Sequence, residues 1–522
     1  MRHDDQAADE AKYLGVFFDR KLSFRQHIQY AAKKGTKFAL VISRIANCTR
    51  GPAFHQTRIL FTSVAAPRMD YAALVWYKPS RGGRPRQCQT SIAKLDAAQR
   101  TAMKAILGTF RTTSTSALQV ETSLMPTHLR LRYRVLQSWT RMPTMPETHP
   151  IISAIRRAIT SRSTVCITLL EHLARTFPSY ATDIETIQPY PFPPWWIPPF
   201  TIKIEIDKKT ARRMHDATRH TPDTICIYTD GSGIDGHIGA AAVSLQTACI
   251  SRRYLRTDDE HNVYIAEIAG LELATEIARA TPLSFTKCVI YMDSQAAIRG
   301  VNKPSKQSGQ ANLISAIINL QLLSDERQMA TEIRWVPSHE DVDGNEKADK
   351  AAKEAAQSQG NDLHIPKSTH KPLKSARTVC IKRDVTKEWD EAWQSDTPND
   401  ARQLRRITKK PNNLCGKKLY NNIELPQHQI ATLAQLRTGH CSLNQYLHRF
   451  GHAESPLCEC GSGAIENVEH YLLHCPRYDM QRSKLLKEVG VCGMRLEKLL
   501  GRRWTIRYTL KYVKETARLA FK

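Results

Sequence analysis

A mixed α/β domain in the middle of the chain, held between two basic and mostly helical flanks, is the architecture that three observations predict. Between about Thr221 and Gln359 the apolar pattern runs strand, hairpin, helix, strand, helix, helix, strand, helix, as expected of a sheet covered by helices. Charge is unevenly spread: of a formal +26, residues 1–220 carry +19, residues 221–360 carry −6 and residues 361–522 carry +13. The 522 residues also suffice for two to four domains, each with its own core.

Taken in order, residues 1–80 alternate a strand-like piece (Tyr13 to Phe18) with helical spacing (Ile28 to Ile45, Arg58 to Val64). Residues 81–186 read as a basic helical connection region, with Leu129, Leu131, Val135 and Leu136 interleaved by Arg130, Arg132 and Arg134. Residues 187–200 place six prolines around Trp195 and Trp196, which favours an extended, semi-rigid linker whose aromatics are expected to pack on a neighbouring domain.

The central domain spans 221–359. In its first strand Ile225 and Ile227 alternate with Cys226 and Tyr228; Ala240–Val243 and Ala248–Tyr254 make a strand pair. A helix starts near Val263, with Ala266, Gly270, Leu273 and Ile277 on one face, and closes at Pro282. The runs ending in Asp293 and Val336 read as buried strands, the second leading through Pro337 into a helix over Asn345 to Ala356. Residues 361–400 are a polar connector, and 401–522 a basic helical region containing a cysteine cluster.

No stretch approaches the roughly 18 apolar residues that a membrane span requires, and the start MRHDDQAADEAK has no apolar core of a secretory signal. Most of the 13 cysteines stand alone, in no even-numbered framework. A reducing, intracellular setting, nucleus or cytoplasm, is expected, with no membrane partner. The positive balance calls for a polyanion, nucleic acid above all.

Four acids stand where the chemistry of a site would put them: Asp230 at the end of the first strand, Glu267 early in the first helix, Asp293 at the end of a later strand and Asp349 inside the last helix. Acids gathered at strand ends repel one another unless cations neutralise them, and Mg²⁺, which favours carboxylate oxygen, is the expected cation. The Gly231-Ser232-Gly233 run would let a nucleic-acid backbone come close and offer it main-chain donors. Each acid alone also has an ordinary explanation: a turn at Asp230-Gly231, a helix cap at Asp293, a surface pair of Asp349 with Lys353.

Together, YTDGSG, AEIAGLELA, YMDSQAAI and WVPSHEDVDGNEKADKAA, in this order, closely resemble the four catalytic segments of type 1 ribonuclease H. The resemblance implies a five-stranded mixed sheet flanked by helices, two Mg²⁺ ions, and hydrolysis of the RNA strand of an RNA:DNA hybrid. It places metal-binding carboxylates at Asp230, Glu267, Asp293 and Asp349 and a proton-handling, mobile-loop histidine at His339; Gly231, Ser232 and Asn345 are candidate substrate contacts. The loop departs from the family pattern at Ser338 and Asp341, where glycine is common. The alternative is a nucleic-acid-binding remnant that keeps the fold without turnover.

The flanks carry two further resemblances. KYLGVFFDRKLSFRQHI with RILFTSVAAPRMDYAALVWY is similar to the end of the polymerase region, palm into thumb, of LINE-type (non-LTR) retrotransposon reverse transcriptases, so the chain resembles the carboxyl-terminal part of such a polyprotein. The pairs Asp4-Asp5 and Asp258-Asp259 lack the preceding aromatic strand of a polymerase centre, and no DNA synthesis is expected. Cys458, Cys460, His470 and Cys475 resemble the Cys-Cys-His-Cys motif found late in such proteins, a zinc-knuckle-like Zn²⁺ site for which His474 competes with His470.

Overall fold

The structure, a computed structural model, describes residues 9–46, 51–81, 89–163, 167–338, 340, 342–395, 401–411, 419–420 and 425–519. They form two compact units, one of residues 136–382 and one of residues 1–135 with 383–522.

The first unit is built on a six-stranded sheet. Its elements are β1 (Thr201–Lys203), α1 (Lys208–Thr218), β2 (Thr224–Ile234), β3 (His237–Ser244), β4 (Cys249–Thr257), α2 (Val263–Ala280), β5 (Lys287–Met292), α3 (Gln295–Asn302), α4 (Gln310–Arg327), β6 (Ala330–Trp335) and α5 (Asp343–Gln357). The strand order is β1-β6-β5-β2-β3-β4; β2, β3 and β4 are antiparallel neighbours, while β1, β6, β5 and β2 run parallel. The five expected strands are therefore joined by a sixth, β1, and with α1 it lies ahead of the expected boundary at 221.

Period-two alternation sends β2 side chains to two cores. Ile225 and Ile227 pack with Ile268, Leu271, Leu313, Ile317 and Leu320 of α2 and α4, and Cys226 and Tyr228 pack with Ala348, Ala351 and Ala352 of α5. Helix α2 lies almost on the sheet because its contact residues are small: a Cβ on Gly270 would come within 2.9 Å of Thr229 Cβ. The proline-rich segment packs rather than standing free, with Phe192 stacked on Trp196 at 4.3 Å, both against the α2 core, and Ile187 and Phe200 buried. Trp195 and Tyr190 are exposed.

Two expectations about turns are corrected. Asp230 is not at a strand end: β2 runs on through Gly231, Ser232 and Gly233, and the chain reverses at Asp235-Gly236, whose φ angles of 49° and 80° are those of a tight hairpin turn. Residues Tyr13 to Phe18 are not one strand but a hairpin, Glu10–Tyr13 against Val16–Asp19, turning at Leu14-Gly15 with φ of 45° and 81°.

The second unit is mostly helical, with long helices at Arg25–Ile45, Gln89–Leu107, Gln427–Thr438, Asp479–Gly493 and Arg503–Thr516. Several arginines of this unit are held in internal pairs. Arg130 meets Asp70 at 2.9 Å and Arg132 meets Glu388 at 2.5 Å, while Arg437 and Glu121, both fully buried, pair at 2.8 Å with Thr408 and the Leu500 carbonyl completing the guanidinium's partners. Such satisfaction is what a buried charge requires. Among the described residues no helix is long and apolar enough to cross a membrane, and the described cysteines are all free thiols.

Candidate functional site

Sheet register creates the central cluster. Thr229 of β2 pairs with Met292 of β5 across a parallel ladder, so the next residues, Asp230 within β2 and Asp293 just past the end of β5, stand side by side. Glu267 comes from the second turn of α2, a helix started by Asn262, whose side chain accepts from the Ile265 N–H at 3.1 Å. One carboxylate oxygen from each of Asp230, Glu267 and Asp293 lies within 4.8 Å of the others. Asp293 is not the cap of the following helix, because the Ser294 hydroxyl accepts from Ala297 N–H in that role.

Electrostatics at this cluster are unfavourable by themselves. Asp230 and Glu267 are 7% and 6% exposed. Burial, then Asp293 and Asp349, pushes the Asp230 carboxyl up to about 8. Burial, then Asp230 and Asp293, pushes Glu267 up to about 9. The Gly231 N–H opposes both shifts, and Glu267 Oε2 is buried with no hydrogen-bond partner. Hard oxygen donors, accumulated negative charge and an orphaned buried oxygen together fit a divalent cation such as Mg²⁺.

Asp349 stands apart from the three-acid set. Carried by α5, it interacts with Asp230 but holds an ion pair with Lys353 one turn on, Oδ2 to Nζ at 2.6 Å. Glu272, the second acid of the α2 segment, is structural: it is buried and paired with Arg253 at 2.5 Å and His370 at 3.4 Å. Among the candidate substrate contacts, Ser232 is 9% exposed and Asn345 6%, with Asn345 Oδ1 buried and unpartnered. Gly231 has another duty. A Cβ there would sit 2.5 Å from the Glu267 nitrogen, so the missing side chain admits α2. His339 and Asp341 lie outside the described residues; between them Glu340 is held by α1 through Lys208 Nζ at 3.1 Å and by Arg212.

Helix α1 contributes what the sequence reading missed. His215, 3% exposed, bonds the Tyr228 hydroxyl through Nε2 at 2.8 Å, and Tyr228 stacks on Tyr291 at 5.2 Å, all on the sheet face that bears α5. The available signal was Asp207 followed by helical spacing, a capped start now seen as Asp207 accepting from Thr210 N–H at 2.9 Å.

The second cluster lies in the other unit. Leu457 and Ile465 bridge a tight loop in which Gly461 and Gly463 have φ of 80° and 67°, and nothing stands where their Cβ atoms would be, so conformation alone calls for glycine. A single π-helical turn, His470–His474, closed by Cys475 N–H to His470 O at 2.8 Å, sets His470 and Cys475 on one side. Cys458 Sγ is 3.6 Å from Cys475 Sγ, Cys460 Sγ is 3.5 Å from His470 Nε2, and one ligand atom of each of the four lies within 4.8 Å of the rest. Those separations match the edges of a tetrahedron around Zn²⁺, about 3.7 Å between sulfurs for a Zn–S bond of about 2.3 Å. His474 is exposed, so His470 is the imidazole facing the thiols. Glu466 ties the loop to the turn after the last helix, accepting from Arg518 at 2.5 and 2.8 Å and from Asn444 N–H at 2.7 Å.

Residues 222–357 match the RNase H family model. A retrovirus-related Pol polyprotein from the type-1 retrotransposable element R1 of Bradysia coprophila is 37% identical over 62 residues, 12% of this chain and 6% of that protein, so the chain spans a small part of the relative's length. Among solved structures, the N-terminal RNase H domain of a Mycobacterium tuberculosis protein, fused to maltose-binding protein, is 20% identical, covering 26% of this chain and 96% of that one, with a TM-score of 0.21. The RNase H1 of the archaeon Halobacterium salinarum is likewise 20% identical, covering 26% and 98%, with a TM-score of 0.20. The chain is thus similar to ribonuclease H over residues 222–357 and, over a 62-residue stretch, to a retrotransposon Pol polyprotein.

Proposed function

We propose that the domain at 222–357 hydrolyses the RNA strand of RNA:DNA hybrids with divalent metal. The observation that carries this reading is the convergence of Asp230, Glu267 and Asp293 within 4.8 Å while Glu267 Oε2 is left buried and unpartnered. Bound there, a pair of Mg²⁺ ions would supply an activated water and charge neutralisation at the leaving oxygen. Asp230, Glu267 and Asp293 hold the first ion, with Gly231 N–H orienting the carboxylates, and Asp349 completes the second position. Ser232 and Asn345 meet the hybrid strand. His339, assigned from sequence alone, hands on the proton of the leaving group. Cys458, Cys460, His470 and Cys475 hold Zn²⁺ and shape a small loop, and the basic flanks contribute phosphate contacts of little sequence discrimination.

The test is cleavage of a labelled RNA:DNA hybrid with Mg²⁺ and an EDTA control. Asp293→Asn is expected to lower cleavage by more than ~100-fold while hybrid binding persists. A variant that cuts like the parent overturns the assignment of the acids. A parent that binds hybrid but never cuts it is the silent remnant.

A further inference from the structure

The four acids of the centre differ in what neutralises them. Asp230 and Glu267 are buried and make no ion pair with lysine or arginine among the described residues. Asp349 holds an ammonium. Lys353 lies one turn along the same helix, its Nζ 2.6 Å from Asp349 Oδ2, and the two side chains are 48% and 40% exposed. The pair can therefore open into solvent without disturbing the core. Asp349 also interacts with Asp230, so the ammonium is bound to an acid that a second divalent cation would share with the buried cluster.

We propose that Lys353 is an internal competitor for the second cation: it occupies Asp349 in the metal-free protein and sets the concentration at which a second ion enters, so that the two ions load in order. This rests on the reading that the acids bind divalent metal. The first ion meets Asp230 and Glu267, buried acids that hold no lysine or arginine among the described residues. The second must push aside a bonded ammonium or accept its repulsion across a few ångströms, an interaction only partly damped by salt at that distance. A lysine suits this task because its compact charge rides a flexible stem and can swing away once the ion is bound. As a stabilising device the pair would be nearly worthless, because exposed i,i+4 pairs contribute little.

The experiment is Mn²⁺ titration of the full chain followed by electron paramagnetic resonance, counting the ions whose binding is lost in Asp230→Asn. Two classes of site are expected in the parent. Lys353→Gln should tighten the second class by about three- to tenfold, leaving the first class and the melting temperature unchanged. Lys353→Arg, which keeps the charge, should leave both classes as in the parent. Equal second-site affinity in Lys353→Gln and the parent, or one bound ion in both, overturns the inference while the metal-binding reading stands. Absence of any Asp230-dependent Mn²⁺ binding overturns both.

Discussion

Asp230 and Asp293 stand next to one another because Thr229 and Met292 are partners in the parallel ladder of β2 and β5, which places two carboxylates where only a cation or a proton can relieve their repulsion. In metal-free protein the proton does so, and that has a pH signature. Asp230 and Glu267, lifted from 3.8 and 4.5 to about 8 and about 9, keep protons that the unfolded chain has already released above about pH 4. A raised carboxyl pKa lowers stability as pH rises, here from about 4 to about 9, with no further loss above. With EDTA present, Asp230→Asn should therefore be more stable than the parent at pH 8, by on the order of 3 kcal/mol, and little different at pH 4. Thermal melts of both proteins across this range check it; parallel curves refute it. Added Mg²⁺ should raise the parent's melting temperature more at pH 8 than at pH 5.

Gly231 sets the distance between sheet and helix. Adding one methyl group 2.5 Å from the Glu267 nitrogen and 2.7 Å from Ala266 Cβ forces α2 outward. Gly231→Ala should cost about 1–3 kcal/mol and, by moving Glu267, lower hybrid cleavage by more than ~10-fold. Melting temperature and cleavage rate measured on the same sample decide the matter; full activity in the variant would show that the helix does not position Glu267.

The segment ahead of the family match belongs to the fold. His215→Ala leaves the buried Tyr228 hydroxyl without its partner at 2.8 Å, for an expected loss of about 1–3 kcal/mol. A chain trimmed to residues 222–357, which lacks β1 and α1, should be less stable still than a chain beginning at 187. Urea unfolding of the three proteins gives the order directly.

For the Cys/His cluster, elemental analysis of the full chain should find about one zinc per molecule. His470→Ala and Cys475→Ser should lose it, and His474→Ala should keep it, because His474 faces solvent and His470 faces Cys460. Retention of zinc by His470→Ala would transfer the ligand role to His474.

Much of this was legible in the residues. The resemblance of YTDGSG, AEIAGLELA, YMDSQAAI and the last helical segment to ribonuclease H segments marked the acids, and the elements that carry them were legible because a sheet's alternation and a helix's turn are local properties that leave their period in the chain. The turn was misplaced from Asp235-Gly236 to Asp230-Gly231 because both dipeptides suit a reversal, and only pairing of Ile234 with His237 tells them apart.

What the sequence by itself determined is which residues can do chemistry: hard oxygen donors in the middle, thiols and an imidazole near the end, basic flanks. Tertiary structure decided which of them meet. It grouped three acids and set Asp349 apart with Lys353, chose His470 over His474, gave Gly231 a packing duty, and added β1 and α1 to the domain. The physical reason is that each of these outcomes depends on the register between strands or the distance between a helix and a sheet. Such quantities are set by contacts between residues far apart in the chain, and no local pattern records them.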